Sequence, residues 1–439
     1  MEIVNESNAT SGRTTRGGDP SRREAILDAA TALFGRQGFS ASTTDDVAAA
    51  AGVTKRTLYR YMGSKHGILL AIHERFLDRS TMDIASQPLE SAPDQMMQII
   101  RHHTGIVAKH QREIRVFFEE MKHLPPEARQ HVVERRDQYE QIFRDVIRRG
   151  IDEGSFREMD VTIAAQAILG ALTNMYRWYR PDGGMGPGEI AEVLGELLIG
   201  GIRTGDCTAP AIPPVVVPRS ETSSHPGRSS WDSNPVLTRV LEAATVLFYE
   251  KGYHEATTRE LAEAAGLTKS ALYYYIGQKE EALFQVHQKV TDAGISSVSE
   301  ALQGDGDPAV TLRRLIHEHC AIMDQYQQAI AVFSDEIKFL DPEHLDEVIQ
   351  HRRTYTSLWR RALANGVASG TFTTSNLTIA TVSLLGLLNY MYLWYRPGGR
   401  LTPGEIAEQF ADLILYGLGV RTQHHIADAD QECCGSKLA

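Results

Sequence analysis

The sequence predicts an all-α protein built from two tandem copies of one domain. The segment "GVTKRTLYRYMGSK" at 52–65 returns as "GLTKSALYYYIGQK" at 266–279, and "MYRWYRPDGGMGPGEIAE" at 175–192 returns as "MYLWYRPGGRLTPGEIAE" at 391–408. Apolar residues recur at helical spacing, and no alternating strand pattern is present. Because the repeat is more than 200 residues long (266 minus 52 is 214), it indicates a duplicated domain rather than a solenoid of short repeats.

The first helix of each copy carries one apolar face and ends at a glycine. In the first copy this face consists of Ile26, Ala30, Leu33 and Phe34, and in the second of Val240, Ala244, Leu247 and Phe248. The motifs "RQGF" and "EKGY" follow, as expected just past a helix C-terminus. The polar segment before the first helix has no apolar core of a signal peptide, so we expect a disordered tail there.

A short alanine-rich helix, a glycine turn and a second short helix come next in each copy. Thr257 with Glu260 fits a capping box, and Thr43 with Asp46 is a weaker version. This order predicts a helix–turn–helix whose second helix has its polar and aromatic side chains exposed, with Leu58 anchoring it on the core. A simple surface turn between two helices is the alternative for either copy alone.

The predicted DNA contacts lie on the second short helix and beside it. They are Thr44, Thr54, Lys55, Arg56, Thr57, Tyr59, Arg60, Tyr61 and Lys65 in the first copy, and Thr258, Arg259, Thr268, Lys269, Ser270, Tyr273, Tyr274, Tyr275 and Lys279 in the second. A recognition helix presents such side chains to base edges. The two lysines that begin the next helices are placed where a backbone phosphate would sit.

These motifs together resemble the N-terminal domain of the TetR family of transcriptional repressors. Nine of eighteen positions are identical between residues 52–69 and 266–283. The resemblance implies a compact helical subunit that acts as a homodimer on a palindromic operator and is released by a small molecule. The domain boundaries that we predict are a tail at 1–20, DNA-binding domains at 21–68 and 235–282, ligand-binding and dimerisation domains at 69–205 and 283–422, a linker at 206–234, and a tail at 423–439.

A fused pair of such subunits would form a single-chain pseudodimer. Two half-sites lie about 34–36 Å apart, and the Pro- and Ser-rich linker of about 30 residues can extend to roughly 90 Å. A fused pair need not keep identical recognition surfaces. Arg56 and Arg60 are matched by Ser270 and Tyr274. We therefore expect an asymmetric operator, the alternative being drift in an unused second copy.

The C-terminal halves contain long apolar helices. In the family the last two helices pair across the dimer, a role that suits Ala164, Ile168 and Leu172 together with Ala380, Leu384 and Leu388. The uncharged run at 378–395 nearly has the length of a membrane span. Its tyrosines, hydroxyl residues and glycine favour a buried or interface helix.

The predicted effector pocket rests on a weaker resemblance, to TetR-like repressors that sense acyl-CoA thioesters of fatty-acid or sterol breakdown. Its candidate residues are Met96, Met97, Phe117, Phe118, Met121, Phe143, Asn174, Arg177, Trp178, Phe333 and Trp394, with Arg177 or Arg180 meeting an anionic group. Each of them alone is also compatible with core packing. Leu393 and Ser334 stand where the first copy has Arg177 and Phe118, so we expect unequal pockets and a response driven mainly by the first copy.

Composition and the remaining motifs exclude other classes of function. The net charge of −11 argues against coating nucleic acid through overall charge, so DNA contacts must come from local patches. Neither "RHH" at 101–103 nor "HEH" at 317–319 makes a good chelating pair, and no catalytic motif is present. Four cysteines without zinc-type spacing indicate reduced thiols in the cytoplasm. We expect a ligand-responsive repressor with no cofactor or metal; the alternative is an architectural DNA-binding protein without a working pocket.

Overall fold

The computed structural model describes residues 20–81, 91–204, 211–212, 234–303 and 306–422. Within these ranges helices are joined by turns and loops, and the only strands are two short ones that pair in parallel, β1 (Ala211–Ile212) and β2 (Arg421–Thr422). The all-α prediction is confirmed. The predicted tails, apart from Pro20, and most of the predicted linker lie outside the described residues.

The two copies repeat one another helix for helix. The first contains α1 (Pro20–Gln37), α2 (Thr44–Ala50), α3 (Lys55–Met62), α4 (Lys65–Thr81), α5 (Ala92–Lys109), α6 (Gln111–Glu119), α7 (Pro126–Asp152), α8 (Val161–Thr173), α9 (Met175–Trp178) and α10 (Pro187–Ile202). The second contains α11 (Pro235–Lys251), α12 (Thr258–Ala264), α13 (Lys269–Ile276), α14 (Lys279–Ala301), α15 (Pro308–Gln325), α16 (Gln327–Glu336), α17 (Pro342–Ala368), α18 (Leu377–Asn389), α19 (Met391–Trp394) and α20 (Pro403–Gly417). A 3-10 turn follows α6 (Met121–His123) and α16 (Ile337–Phe339).

Local sequence signals explain how both helix–turn–helix units begin. Thr43 and Asp46 form a complete capping box at the start of α2, as Thr257 and Glu260 do at the start of α12. The N-cap Thr54 accepts the amide of Thr57, which satisfies one of the free donors of α3. Threonine caps encoded in the local sequence therefore define where the helices of both units begin.

The C-terminal helices of the two copies form one four-helix bundle. Helices α8 and α10 of the first copy pack against α18 and α20 of the second. The six apolar residues predicted for this role, Ala164, Ile168, Leu172, Ala380, Leu384 and Leu388, are all buried. The one stretch apolar enough for a membrane span among the described residues, Leu377–Trp394, is 56% buried, and α18 within it packs in this bundle. The prediction of a buried interface helix is confirmed.

Glycines allow the bundle helices to approach at backbone distance. A Cβ atom on Gly201 of α10 would lie 2.4 Å from the carbonyl oxygen of Leu413, and one on Gly417 of α20 would lie 2.2 Å from that of Leu197. Farther along, a Cβ on Gly170 would lie 2.5 Å from Cβ of Tyr390. Since these neighbours are largely backbone, no larger residue fits without moving a helix.

We predict that Gly201→Ala destabilises the protein by about 1–3 kcal/mol, the usual cost of overpacking a tight core. The matched control is Gly105→Ala in α5, where an added Cβ meets nothing within 4 Å. That change should stabilise the helix by roughly 0.5–1 kcal/mol, because alanine is the better helix former. Urea unfolding followed by circular dichroism measures both. Equal effects of the two substitutions would show that the close approach is not needed.

Candidate DNA-binding surface and ligand cavity

The first recognition helix, α3, exposes a basic face. The side chains of Lys55, Arg56 and Arg60 are all exposed. Lys55 forms an ion pair of 2.9 Å with Asp45 on α2, so part of its charge is compensated. Arg56 and Arg60 have no carboxylate partner among the described residues, and Arg60 lies over the ring of Tyr61. These two guanidinium groups are the free cations of this surface.

The second recognition helix, α13, exposes an aromatic face instead. Tyr274 stands where the first copy has Arg60 and is 84% exposed, and Ser270 replaces Arg56. The exposed Arg259 on α12 replaces Asp45, so Lys269 has no acid at the matching place. The Tyr273 hydroxyl donates to Thr258 at 3.5 Å. The second surface can offer cations from α12 and from the start of α13, and tyrosines from its middle.

The structure brings the predicted DNA residues together on two surfaces, with one exception in each copy. Thr44, Thr54, Thr57, Tyr59, Tyr61, Thr258, Thr268 and Tyr275 are exposed or half-buried on or beside these helices. The half-buried Lys65 reaches the carbonyl of Ser40 and lies over the ring of Phe39, and Lys279 donates to the carbonyls of Tyr253 and Ala256. Both lysines therefore bind the turn of their own domain.

A large cavity lies in the second copy and has a volume of about 340 Å³. Helices α14 to α18 form most of its wall, with apolar side chains that include Val290, Ile322, Met323, Val382 and Leu385. Phe118, Thr173, Asn174, Tyr176, Arg177 and Trp178 of the first copy complete the wall from across the bundle. The volume falls within the range of small-molecule sites, and the site needs residues from both copies.

Side-chain size explains why the equivalent space in the first copy is nearly closed, with about 30 Å³. Phe118, where the second copy has Ser334, packs its ring between those of Phe117 and Tyr176. Glu140, where the second copy has Thr356, is buried and accepts hydrogen bonds from Arg144 and Gln166. The larger space therefore lies in the second copy, whereas the sequence predicts a response driven mainly by the first copy.

Two arginines face the large cavity. Arg177 crosses from the first copy, and its closest acceptor is the carbonyl of Ser334 at 3.5 Å. Arg352 of α17 lies over the ring of Phe333 at 4.1 Å. Burial, and then the neighbouring charge of Arg177, lower the pKa of Arg352 to about 9. No aspartate or glutamate is part of the described cavity wall.

Five predicted ligand residues line this cavity: Phe118, Asn174, Arg177, Trp178 and Phe333. The other six, Met96, Met97, Phe117, Met121, Phe143 and Trp394, do not line it, and Arg180 is exposed. The sequence analysis missed Arg352 and Tyr355. The sequence does contain a signal for them. The segment "ERRDQYE" at 134–140 corresponds to "QHRRTYT" at 350–356. The second copy keeps the arginine and the tyrosine but loses the three acidic residues around them.

Four charged residues form crossed ion pairs beneath the DNA-binding domains. Lys122 of the first copy pairs with Glu336 of the second, and Lys338 of the second pairs with Glu120 of the first. Both carboxylates are 2% exposed. Such pairs are costly to break from one side, since the remaining charge is then buried alone.

The same two carboxylates hold the DNA-binding domains. Glu120 accepts the backbone amide of Phe39 at 3.1 Å, and Glu336 accepts that of Tyr253 at 3.3 Å. Both amides lie directly after the glycine that ends the first helix of each copy. The crossed ion pairs therefore connect the interface between the copies with the position of each helix–turn–helix.

We predict that Lys122→Met destabilises the protein by about 3–5 kcal/mol, because Glu336 then stays buried without its cation. The double variant Lys122→Met/Glu336→Gln should recover much of the loss, since glutamine still accepts the amide of Tyr253. The control is Lys251→Met, which removes an exposed pair with Glu260 and should change the stability far less, because water screens the pair. Urea unfolding tests this; no recovery in the double variant would contradict the assignment.

Comparison with known proteins agrees with this division of the chain. The family model described as "Bacterial regulatory proteins, tetR family" matches residues 26–72 and 240–286. The model "Tetracyclin repressor-like, C-terminal domain" matches residues 89–202 and 305–418. The four matches alternate along the chain, so each copy carries an N-terminal and a C-terminal domain.

Single relatives correspond to about half of this chain. The transcriptional repressor KstR2 of Rhodococcus jostii is 28% identical over 203 residues, which are 46% of this chain and 96% of the relative. The structure of the ketosteroid transcriptional regulator KstR2 of Mycobacterium tuberculosis is 26% identical, with a TM-score of 0.39, and covers 43% of this chain and 98% of its own. AibR in complex with isovaleryl coenzyme A and operator DNA is 24% identical, with a TM-score of 0.38, and covers 40% and 98%. This chain belongs to the TetR family of bacterial transcriptional regulators and contains two copies of the family's domain pair in tandem.

Proposed function

We propose that this protein is a cytoplasmic transcriptional repressor that works as a single-chain pseudodimer on an asymmetric operator and is released by an amphipathic small molecule. It acts without enzymatic chemistry. The observation that carries the proposal is the cavity of about 340 Å³ whose wall comes from both copies. A site shared in this way lets one ligand influence how two DNA-binding domains are held.

The bundle contacts support an intramolecular pseudodimer. Both sets of C-terminal helices are packed against each other within one chain, and their glycines meet at backbone distance. The exposed Arg400 of the second copy also pairs with Asp160 at the start of α8. By its resemblance to the TetR family, the chain would use these same helices to pair its two copies as separate subunits do.

The contact between cavity and DNA-binding domain runs through one short helix. On α16, Phe333 and Ser334 line the cavity, while Glu336 belongs to the crossed ion pairs and accepts the amide of Tyr253. A ligand that displaces α16 therefore also displaces the second helix–turn–helix. If the ligand binds the displaced arrangement more tightly, it lowers DNA affinity by the same coupling free energy.

The effector class follows from the cavity and from the resemblance to acyl-CoA-responsive repressors. An apolar wall with two arginines suits an acyl chain, a fatty acid or a steroid-related acid that carries an anionic group. The alternative remains an architectural DNA-binding protein without a working pocket. Ligand-dependent loss of operator binding separates the two, because an architectural protein would hold DNA at any ligand concentration.

We predict that the free chain is a monomer of 48.7 kDa at low micromolar concentration. Its bundle helices are already paired, so a second chain finds no equivalent partner surface. Size-exclusion chromatography with light scattering measures the mass. A stable species of twice that mass would contradict the single-chain pseudodimer. Gly201→Ala provides a comparison, since a loosened bundle should favour exchange between chains.

We predict an operator with two different half-sites. Arg56 and Arg60 can each donate two hydrogen bonds to guanine, with about 1–3 kcal/mol of discrimination per pair, whereas Ser270 and Tyr274 cannot. Selection of bound DNA from a random pool should show guanine preference in one half-site only. Arg56→Ala should relax that half-site, and Ser270→Ala at the matching position of α13 should leave it unchanged. A symmetric selected site, or relaxation of both half-sites by Arg56→Ala, would indicate drift in the second copy.

A further inference from the structure

The geometry assigns the large cavity to a ligand with one anionic group on an apolar body, bound once per chain, with Arg177 and Arg352 holding the anion. This inference rests on the proposed function and names the ligand chemistry of its site. Each arginine comes from a different copy, so the anion would bridge the two halves of the molecule. The shared chemistry is a carboxylate or phosphate, from a free acid or from a coenzyme A thioester.

The charge of the cavity wall supports an anion. In the part of the chain that the structure describes, neither Arg177 nor Arg352 forms an ion pair with a carboxylate, and the wall contains no acid. The nearest acids, Glu119 and Asp335, attract Arg177 but belong to the region of the crossed ion pairs. Despite burial, Tyr176, Tyr392 and these acids raise the pKa of Arg177, whereas burial and then the charge of Arg177 lower the pKa of Arg352. A bound anion would therefore offset the cost of the Arg352 charge in particular.

Two donors without hydrogen-bond partners in the same wall also favour a ligand with acceptor oxygens. Tyr176 is 5% exposed, lines the cavity, and its hydroxyl has no hydrogen-bond partner among the described residues. The indole N–H of Trp178 is likewise buried without a partner. Buried polar groups in proteins are almost always satisfied. Because both residues line the cavity, a ligand with acceptor oxygens offers these donors partners there.

Another part of the wall accepts an apolar body. Val290, Ile322, Met323, Val382 and Leu385 line it, and these side chains suit the apolar part of a ligand. The equivalent space in the first copy is filled by Phe118 and Glu140, so among the described residues it has no room for a second ligand of this size. One ligand per chain is therefore expected, where a symmetric dimer would bind two.

The test uses a pair of fluorescent probes that differ by one sulfonate group: 8-anilinonaphthalene-1-sulfonate and its neutral analogue N-phenyl-1-naphthylamine. The full chain should bind the sulfonate at one site, at least tenfold more tightly than the analogue. Arg352→Met should abolish this preference. Arg136→Met, at the matching position of the first copy, should change the affinity less than twofold. Equal effects of the two variants, no preference for the anion, or two equal sites would overturn the assignment.

Thermal unfolding separates binding from structural roles. Because Arg352 carries an uncompensated charge, Arg352→Met without ligand should keep or raise the Tm. A fall of several degrees would show that Arg352 holds the fold rather than a ligand, and would overturn the proposal.

Competition identifies the source of the anion. Displacement of the sulfonate probe by decanoate indicates a free acid, displacement by decanoyl-CoA indicates a thioester, and both support the site. If neither compound displaces the probe, the assignment of the site is contradicted. The operator assay is an independent test. If the probe binds through Arg352 but does not release DNA, the site is supported and the proposed release is contradicted. If a ligand releases DNA equally well from the Arg352→Met variant, the site is contradicted.

Discussion

The backbone-distance packing of α8 and α10 against α18 and α20 is the constraint on which the rest of the structure depends. Gly201 and Gly417 allow it, since a side chain at either place would meet a carbonyl oxygen of the facing helix. This packing brings Arg177 into the cavity of the other copy and places Lys122 beside Glu336. Without it, the cavity would lose one arginine and part of its wall, and the crossed ion pairs would not form.

Covalent fusion explains why the two halves differ. In a homodimer every substitution appears twice, so opening one pocket opens both and changing one recognition helix changes both. In this chain Ser334 opens space in the second copy while Phe118 fills it in the first. In the same way, Arg56 and Ser270 give the two recognition helices different hydrogen-bonding groups. The duplicated fold is retained because its core positions keep their apolar character and helical spacing.

Much of the fold could be predicted from sequence, because it depends on local patterns. The capping boxes, the glycine helix ends and the apolar faces are all periodic or short-range signals, and the internal repeat revealed the duplication. The ligand cavity could be predicted only in part. Phe118 and Arg177 were found, but they line the pocket of the opposite copy, since crossing of the bundle is a long-range property. Arg352 was missed because its signal lies in the loss of three surrounding acids between the copies, and not in the arginine itself.

The central claim is that one chain supplies everything that a dimer of the family supplies. Native mass spectrometry of the protein on its selected operator tests this most directly, since it counts chains per DNA. The account predicts one chain of 48.7 kDa on each operator. Two chains on one operator, with no complex that contains a single chain, would contradict it.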